Sequence, residues 1–168
     1  MSNTNKQIII GVDPGFAITG YSIIKKSKNE LSVIDFGVIT TSKQKTFNSR
    51  LLTIHDKISY LIKKYKPNVL AIEDIFFYKN AKTAIKVGES RGAIIITAIQ
   101  NKIPVYNFTP LQVKQSVTGY GRAEKKQIQK MIKILFNLRD LPQPDDAADA
   151  LAVAYCCSQS LTLKKHDI

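Results

Sequence analysis

The residues with the clearest chemical potential are four carboxylates, each at a point where a predicted element begins or ends. One ends the first apolar strand, one ends a later strand, and two open the last helix: Asp13, Glu73, Asp146 and Asp149. Two divalent cations roughly 4 Å apart can stabilise both the attacking and the leaving oxygen of an in-line displacement. Such cations need hard oxygen ligands. The four acids therefore predict metal-dependent hydrolysis of a phosphodiester.

The charge of the chain favours a polyanionic partner. The 168 residues include 25 Lys and Arg but only 13 Asp and Glu, a formal net charge of +12. Four of those acids belong to the predicted site, so the rest of the surface is more basic still. Such a surface attracts nucleic acid by releasing counterions from the phosphates, although high charge can also serve solubility alone.

Length and composition predict one globular domain over residues 1–168, with a core from about 7 to 158 and a frayed tail from about 159 to 168. Apolar residues make up 44% of the chain, which is typical of a folded protein.

Nothing in the sequence predicts a membrane span or a secretion signal. The longest apolar run, Ala93–Ile99, is far too short to cross a bilayer, and Met1–Lys6 has no apolar signal core. The only cysteines, Cys156 and Cys157, are adjacent, a placement that rarely closes a disulfide. We therefore expect a soluble cytoplasmic protein.

The hydrophobic pattern predicts an α/β fold. Three extended segments joined by short turns indicate an antiparallel meander: Ile8–Asp13, Gly20–Ile24 and Leu31–Ile39. A helix follows from Phe47 to before Pro67, because its apolar residues recur at steps of three and four.

The second half alternates strands and helices. The predicted elements are a strand Val69–Glu73, a long helix Ala81–Asn101 interrupted by Gly88 and Gly92, a strand Val105–Phe108, a short helix from Thr109-Pro110 to about Val117, a helix from about Ala123 to Phe136, and a last helix after Pro142 and Pro144. The result is a mixed five-stranded sheet, three antiparallel strands and then two parallel ones, flanked by helices.

This order of elements would bring the four acids together. A helical crossover from Ile39 to Val69 makes the fourth strand parallel to the first, and parallel strands present their functional ends at the carboxyl edge. Asp13 and Glu73 would then emerge side by side. The last two acids, three residues apart, share one helical face at the positive end of the helix dipole.

Each acid also has a plain structural interpretation. Asp13 before Pro14-Gly15 suits a turn, Glu73 suits a surface position, and an Asp pair at a helix start suits capping. The four acids taken together favour a functional site, because an acid that directly follows a buried strand usually has a functional role. Two further acids lie next to the proposed site residues in the sequence. Asp145 is predicted to be an N-cap or supporting residue, and Asp74 is predicted to be peripheral.

Five ordered motifs resemble those of RuvC-type Holliday-junction resolvases, of the ribonuclease H-like superfamily. They are Gly11–Gly15, Ala71–Glu73 followed by Phe76 and Lys79–Ala81, Gln112–Gln115, Gly121 with Ala123–Lys125, and Asp146–Leu151. The resemblance covers Ile9 to about Cys156. It implies a ribonuclease H-like fold and a crossover junction endodeoxyribonuclease that acts in recombination and DNA repair.

The resemblance also implies roles for individual residues. The four acids match the family's catalytic acids, which hold Mg²⁺ or Mn²⁺, two ions per site, and the spacing of three selects Asp146 over Asp145. Lys114 and Lys125 match its catalytic basic residues, and Phe76 matches an aromatic that acts on bases at the crossover. The expected DNA contacts are Phe76, Lys79, Lys114, Arg122, Lys125 and Lys126.

Two other function classes remain open beside the nuclease. One is an ATP-using phosphotransferase of the actin-like superfold, which normally needs two such domains. The other is a non-catalytic DNA-binding module, in which four acids would repel phosphates unless metal neutralised them. The resemblance further implies a homodimer, whose two-fold symmetry supplies two matched nicks, and work with the RuvA-RuvB branch-migration complex.

Overall fold

A mixed five-stranded sheet forms the centre of the molecule, in a computed structural model that describes residues 6–28, 30–75 and 81–163. The strands are β1 (Gln7–Asp13), β2 (Ile18–Ser27), β3 (Glu30–Thr40), β4 (Val69–Glu73) and β5 (Val105–Phe108). The helices are α1 (Phe47–Tyr65), α2 (Ala81–Gln100), α3 (Pro110–Thr118), α4 (Lys125–Leu135) and α5 (Asp145–Leu163).

The strand order β3-β2-β1-β4-β5 confirms the predicted α/β architecture. β1, β2 and β3 pair antiparallel, whereas β4 pairs parallel with both β1 and β5. In the β1–β4 register Val12 lies opposite Ile72. The next residues along, Asp13 and Glu73, therefore leave the sheet at one edge, which we call the carboxyl edge.

Helix α1 has the boundaries that its sequence predicts. Thr46 caps its start, accepting a hydrogen bond from the Ser49 backbone N–H, and Lys66 ends it in the left-handed conformation just before Pro67. Its buried residues recur at helical spacing: Ile54, Ile58, Leu61 and Ile62. They pack on the sheet face that also receives α2.

Helix α2 corrects the expectation of an interrupted helix, because it runs unbroken through Gly88 and Gly92. A glycine in a helix costs only about 1 kcal/mol relative to alanine. Burial of the α2 face that carries Ile94 and Ala98 offsets that cost. Tertiary packing thus outweighs local propensity here.

Helix α5 covers the opposite face of the sheet and is the most buried helix of the fold. Its inner residues are nearly inaccessible: Ala147, Ala148, Ala150, Leu151, Ala152, Val153 and Ala154. The helix continues to Leu163, so residues 159–163 are helical rather than part of the frayed tail expected from about 159. No helix within the three described ranges combines the length and hydropathy of a membrane span.

Candidate active site

The four predicted acids come from three elements that meet at the carboxyl edge. Asp13 is the last residue of β1, and Glu73 is the last residue of β4. Asp146 and Asp149 lie in the first turns of α5, which packs across β1 and β2. All four side chains are partly buried.

Two glycines allow α5 to approach the sheet closely. A Cβ at Gly20 would lie 1.9 Å from the backbone oxygen of Asp146, and one at Gly11 would lie 2.4 Å from that of Ala150. The Ser22 hydroxyl donates a 2.8 Å hydrogen bond to the same Ala150 oxygen. These contacts fix the start of α5 beside the end of β1, where Asp13 lies.

The electrostatics of Asp13 indicate that the four acids lie within electrostatic range of one another. Burial raises its pKa to about 8, and three neighbouring carboxylates contribute to the rise: Glu73, Asp149 and Asp146. The Lys125 ammonium opposes them by lowering the pKa. Asp13 is thus held where its negative charge is poorly compensated by the protein itself.

Glu73 and Asp149 share that environment. Burial, with help from Asp149, raises the pKa of Glu73 to about 7, although the ammonium groups of Lys114 and Lys125 lower it. Burial also raises the pKa of Asp149, against a hydrogen bond from Lys125 that lowers it. The acids therefore lie within electrostatic range of one another and of two lysines.

Both predicted catalytic lysines lie beside the acids. A cavity of about 260 Å³ opens here, and its lining includes Glu73, Asp149, Lys114 and Lys125. Lys125 Nζ lies 3.1 Å from Asp149 Oδ2 and 3.5 Å from Asp145 Oδ2. The cavity thus brings carboxylates and ammonium groups together in one lining.

The remaining predicted DNA contacts lie away from the cavity or outside the described ranges. Arg122 and Lys126 lie around the start of α4, and neither lines the cavity. Phe76 and Lys79 fall in residues 76–80, outside the described residues.

The two neighbouring acids have other partners. Asp145 accepts a 2.8 Å hydrogen bond from the side-chain amide of Gln129, a buried residue of α4. Asp74 is paired with Arg91, at 2.7 Å. These contacts favour Asp146 over Asp145 as the acid that acts together with Asp149. They also favour a peripheral position for Asp74.

Arg91 is a residue that the sequence analysis missed. From α2 it donates to the Glu73 backbone oxygen at 3.2 Å, to Asp74 Oδ1 at 2.7 Å and to Asn107 Oδ1 at 2.5 Å. It thus ties the ends of β4 and β5 together directly behind Glu73. An arginine in the middle of a helix gives no sequence signal of such a role.

The donor set suits hard divalent cations. The site offers only carboxylate oxygens, the ligands that Mg²⁺ prefers, and their mutual repulsion is what a bound cation would relieve. Within the described residues no three Asp, Glu, His or Cys side chains already form a group that could hold one ion. Asp13, Glu73, Asp146 and Asp149 are the residues that would hold such a cation.

Neutralising Asp13 is expected to stabilise the protein in the absence of metal. The pKa of Asp13 is raised from 3.8 to about 8 in the folded state. The folded protein therefore keeps a proton that the unfolded chain releases above about pH 4, and the free energy of unfolding falls as pH rises from about 4 toward 8. In EDTA at pH 8 we expect Asp13→Asn to gain roughly 1–3 kcal/mol, or a few degrees in melting temperature. Thermal melts at pH 5 and pH 8 measure this gain.

The gain should shrink strongly at pH 5, where folded wild-type Asp13 is protonated. The half-exposed Asp145 is the control, and Asp145→Asn should gain less stability at pH 8 than Asp13→Asn. Equal melting temperatures of Asp13→Asn and wild type at both pH values would contradict the proposed charge cluster.

Sequence comparison assigns the family. The family model for crossover junction endodeoxyribonuclease RuvC matches residues 9–157. A protein of that name from Thermosipho melanesiensis is 55% identical over 148 residues, which cover 88% of this chain and 94% of that protein. Another, from Caldicellulosiruptor saccharolyticus, is 54% identical over 162 residues, covering 95% and 98%.

Solved structures agree with the sequence comparison. RuvC of Thermus thermophilus in complex with a Holliday junction substrate superposes with a TM-score of 0.89 at 30% identity, covering 94% of this chain and 96% of that one. The yeast mitochondrial resolvase Ydc2 shares the fold, with a TM-score of 0.67 at 14% identity over 94% of this chain and 82% of that one. The chain therefore belongs to the RuvC family of crossover junction endodeoxyribonucleases.

Proposed function

We propose that this protein resolves four-way DNA junctions by two symmetric nicks, with Asp13, Glu73, Asp146 and Asp149 as its metal-binding acids. Family membership makes it a Holliday-junction-resolving endonuclease of recombination and DNA repair that depends on divalent metal. The residue roles, the metal count and the symmetry are our proposal. The observation that carries it is the set of acids at the carboxyl edge beside two lysines, with the pKa values of Asp13 and Glu73 raised.

The four acids would hold two Mg²⁺ or Mn²⁺ ions. When bound, such ions activate a water and stabilise the leaving oxygen of the displaced phosphodiester. The acids themselves fix the geometry, because Asp13 and Glu73 are anchored at strand ends and α5 is held by close packing against β2. A site on rigid elements keeps the scissile phosphate in line with the attacking water.

Lys114 and Lys125, which line the same cavity as two of the acids, would act on the reacting phosphate. Both are close enough to Glu73 to lower its pKa, so both lie within electrostatic range of the proposed metal ligands. A cation here stabilises the charge that develops on the phosphate oxygens. Lys125 also pairs with Asp149 at 3.1 Å, which keeps its ammonium group at the proposed metal site.

Replacing Lys114 or Lys125 by Ala is expected to slow cleavage more than it weakens binding. A contact at the reacting phosphate stabilises the transition state, roughly 10²-fold in rate for one such donor, whereas many other basic residues share the binding. Single-turnover cleavage and junction affinity, measured on the same preparations, separate the two effects. Lys130→Ala is the matched control, since it removes an exposed lysine of the same helix that does not line the cavity. An equal loss in rate and affinity would contradict this role.

The other predicted contacts would serve DNA binding around the cavity. We assign Arg122 and Lys126 to backbone phosphates, because both are accessible cations at the start of α4. We assign Lys79 to the same role and Phe76 to the bases of the opened crossover, on the resemblance of their segment to that of the family.

We further propose that the protein acts as a homodimer, because a two-fold axis supplies two equivalent sites for the two nicks. Helix α2 carries an exposed apolar stripe that suits a second copy. Ile85, Ile96 and Ile99 are 60%, 49% and 56% exposed, and their spacing puts them within one arc of roughly 60° on the helix. The exposed Gly92 lies within that arc, and a Cβ added there would meet no described atom within 4 Å beyond the adjacent backbone of its own helix, which leaves room for a partner helix.

The cellular setting follows from the same reaction. We propose that the protein is cytoplasmic and works with the RuvA-RuvB branch-migration complex. The two buried free thiols, Cys156 and Cys157, suit a reducing compartment.

The nature of the products tests this proposal. A mobile four-way junction is labelled on two opposite strands and incubated with the protein and Mg²⁺. We expect both strands to be nicked at equivalent positions, giving two linear duplexes whose nicks DNA ligase seals. Nicks at unrelated positions on the two strands would contradict the symmetric mechanism.

A further inference from the structure

A stack of three side chains lies at the carboxyl edge on the α1–α2 side of the sheet. The rings of Phe16 and Phe47 are 4.9 Å apart and nearly parallel, at 23°. The guanidinium carbon of Arg50 lies 3.8 Å from the centre of the Phe16 ring. We call these residues the Phe16 stack. Lys86 of α2 adds a second cation, 5.7 Å from the same ring centre.

The topology puts the Phe16 stack near the proposed active site but on the opposite face of the sheet from its lysines. Phe16 follows Asp13 by three residues, in the turn between β1 and β2. Phe47 and Arg50 lie in the first turn of α1, which belongs to the α1–α2 face. Lys114 and Lys125 belong to α3 and α4, which pack on the other face with α5.

Arg50 is held in one orientation. Its Nε donates a 2.9 Å hydrogen bond to the Thr41 hydroxyl, which in turn donates to the Phe16 backbone oxygen at 2.6 Å. The Phe16 ring supports the plane of the guanidinium. A guanidinium fixed in this way loses little conformational entropy when it binds an anion through its remaining N–H groups.

Arg50 and Lys86 form no ion pair with any residue that the structure describes. Across residues 6–28, 30–75 and 81–163, the ion pairs that form involve Arg91 and Lys125 and do not involve Arg50 or Lys86. The first turns of α1 and α2 contain no acidic residue. The loop that precedes α1 adds Lys43 and Lys45, both exposed. Within the described residues, Arg50 and Lys86 are therefore cations without an ion-pair partner, which leaves them able to bind an anion.

From these observations we infer a second DNA-binding surface, in which Arg50 and Lys86 bind backbone phosphates of a junction arm on the α1–α2 side of the acids. The inference rests on the proposed function. A guanidinium fork matches phosphate oxygens, and helix starts without acids also favour phosphate. Phe16 itself has Phe47 and Arg50 packed against its ring, so its role is to orient Arg50 rather than to stack on bases.

The test compares two stacked cations of the same helix. Arg50→Gln keeps a side-chain donor within reach of Thr41 but removes the charge. Lys64→Gln is the matched control, because Lys64 Nζ lies 4.7 Å from the Tyr65 ring centre but 14 residues further along α1, roughly 21 Å away at 1.5 Å per residue. Junction affinity is measured in EDTA at several salt concentrations, and melting temperature is measured alongside.

We expect Arg50→Gln to weaken junction binding roughly tenfold at low salt, as the loss of one charge-assisted contact does. The slope of log affinity against log salt should become less steep by about 1, which corresponds to one lost phosphate contact. The melting temperature should change little. Lys86→Gln should lower the same slope, and Lys64→Gln should leave it unchanged.

Two results would overturn the inference. One is an unchanged salt slope for Arg50→Gln in a protein whose wild type binds and cuts junctions, which would leave the proposed function intact. The other is a lower melting temperature with weaker binding but an unchanged slope, which would make the Phe16 stack a purely structural contact. A wild type that does not prefer junctions over linear duplex would instead overturn the proposed function itself.

Discussion

Glu73→Gln and Asp146→Asn proteins are expected to bind four-way junctions but not to cut them in Mg²⁺. Each change removes one carboxylate charge from the proposed metal site while keeping the size of the side chain. Loss of residues that only support metal ligands costs roughly 10–100-fold, so loss of a ligand itself should cost more than about 10²-fold in rate. Single-turnover cleavage on a denaturing gel, with a gel-shift assay of binding, measures both properties.

Asp145→Asn is the matched control for Asp146→Asn. Asp145 is adjacent in sequence, but its side chain is half-exposed and accepts a hydrogen bond from Gln129, so its loss should cost far less activity. If Asp145→Asn alone abolished cleavage, the assignment of Asp146 would be wrong. Wild-type cleavage by Glu73→Gln would remove Glu73 from the site.

Gly20→Ala is expected to impair both folding and cleavage, because its Cβ would lie 1.9 Å from the Asp146 backbone oxygen. No side-chain movement can relieve a clash with backbone, so the start of α5 must shift away from β2. Overpacking of this kind typically costs about 1–3 kcal/mol. A displacement of about 1 Å at a catalytic group can cost roughly 10²-fold in rate. Melting temperature and single-turnover rate should therefore both fall.

Gly37→Ala serves as the control for this substitution. Gly37 lies on the neighbouring strand β3, and its Cβ would meet the Tyr21 side chain, at 3.1 Å or more. That ring belongs to the α1–α2 face, away from α5. We expect a smaller loss of stability and nearly normal cleavage. If Gly20→Ala cleaved as fast as Gly37→Ala, the close approach of α5 would not matter for the site.

The sequence predicts this fold well where local patterns and topology agree. The run Val69–Glu73 is both an apolar strand and the natural partner of β1 after a helical crossover, so its parallel pairing could be predicted without coordinates. The predicted convergence of Asp13 and Glu73 depends only on this pairing. The spacing of Asp146 and Asp149 likewise needs only a helix start, which the preceding prolines indicate.

Other features depend on tertiary contacts that no local pattern contains. Helix α2 is continuous through Gly88 and Gly92 because its buried face packs against α1 and the sheet. Arg91 reaches the ends of two strands that are distant in sequence, β4 and β5. The Phe16 stack joins a turn and a helix separated by two whole strands. Such contacts become visible only when the elements are assembled.

The most direct test of the central claim is cleavage of a mobile four-way junction beside a linear duplex of the same sequence, each with Mg²⁺ and with EDTA. The claim is that acids at the carboxyl edge bind divalent metal and that this metal site cuts a branched DNA substrate. It predicts nicked products from the junction with Mg²⁺, little product from the linear duplex, and none from either in EDTA. Equal cleavage of the two substrates, or cleavage of the junction in EDTA, would contradict it.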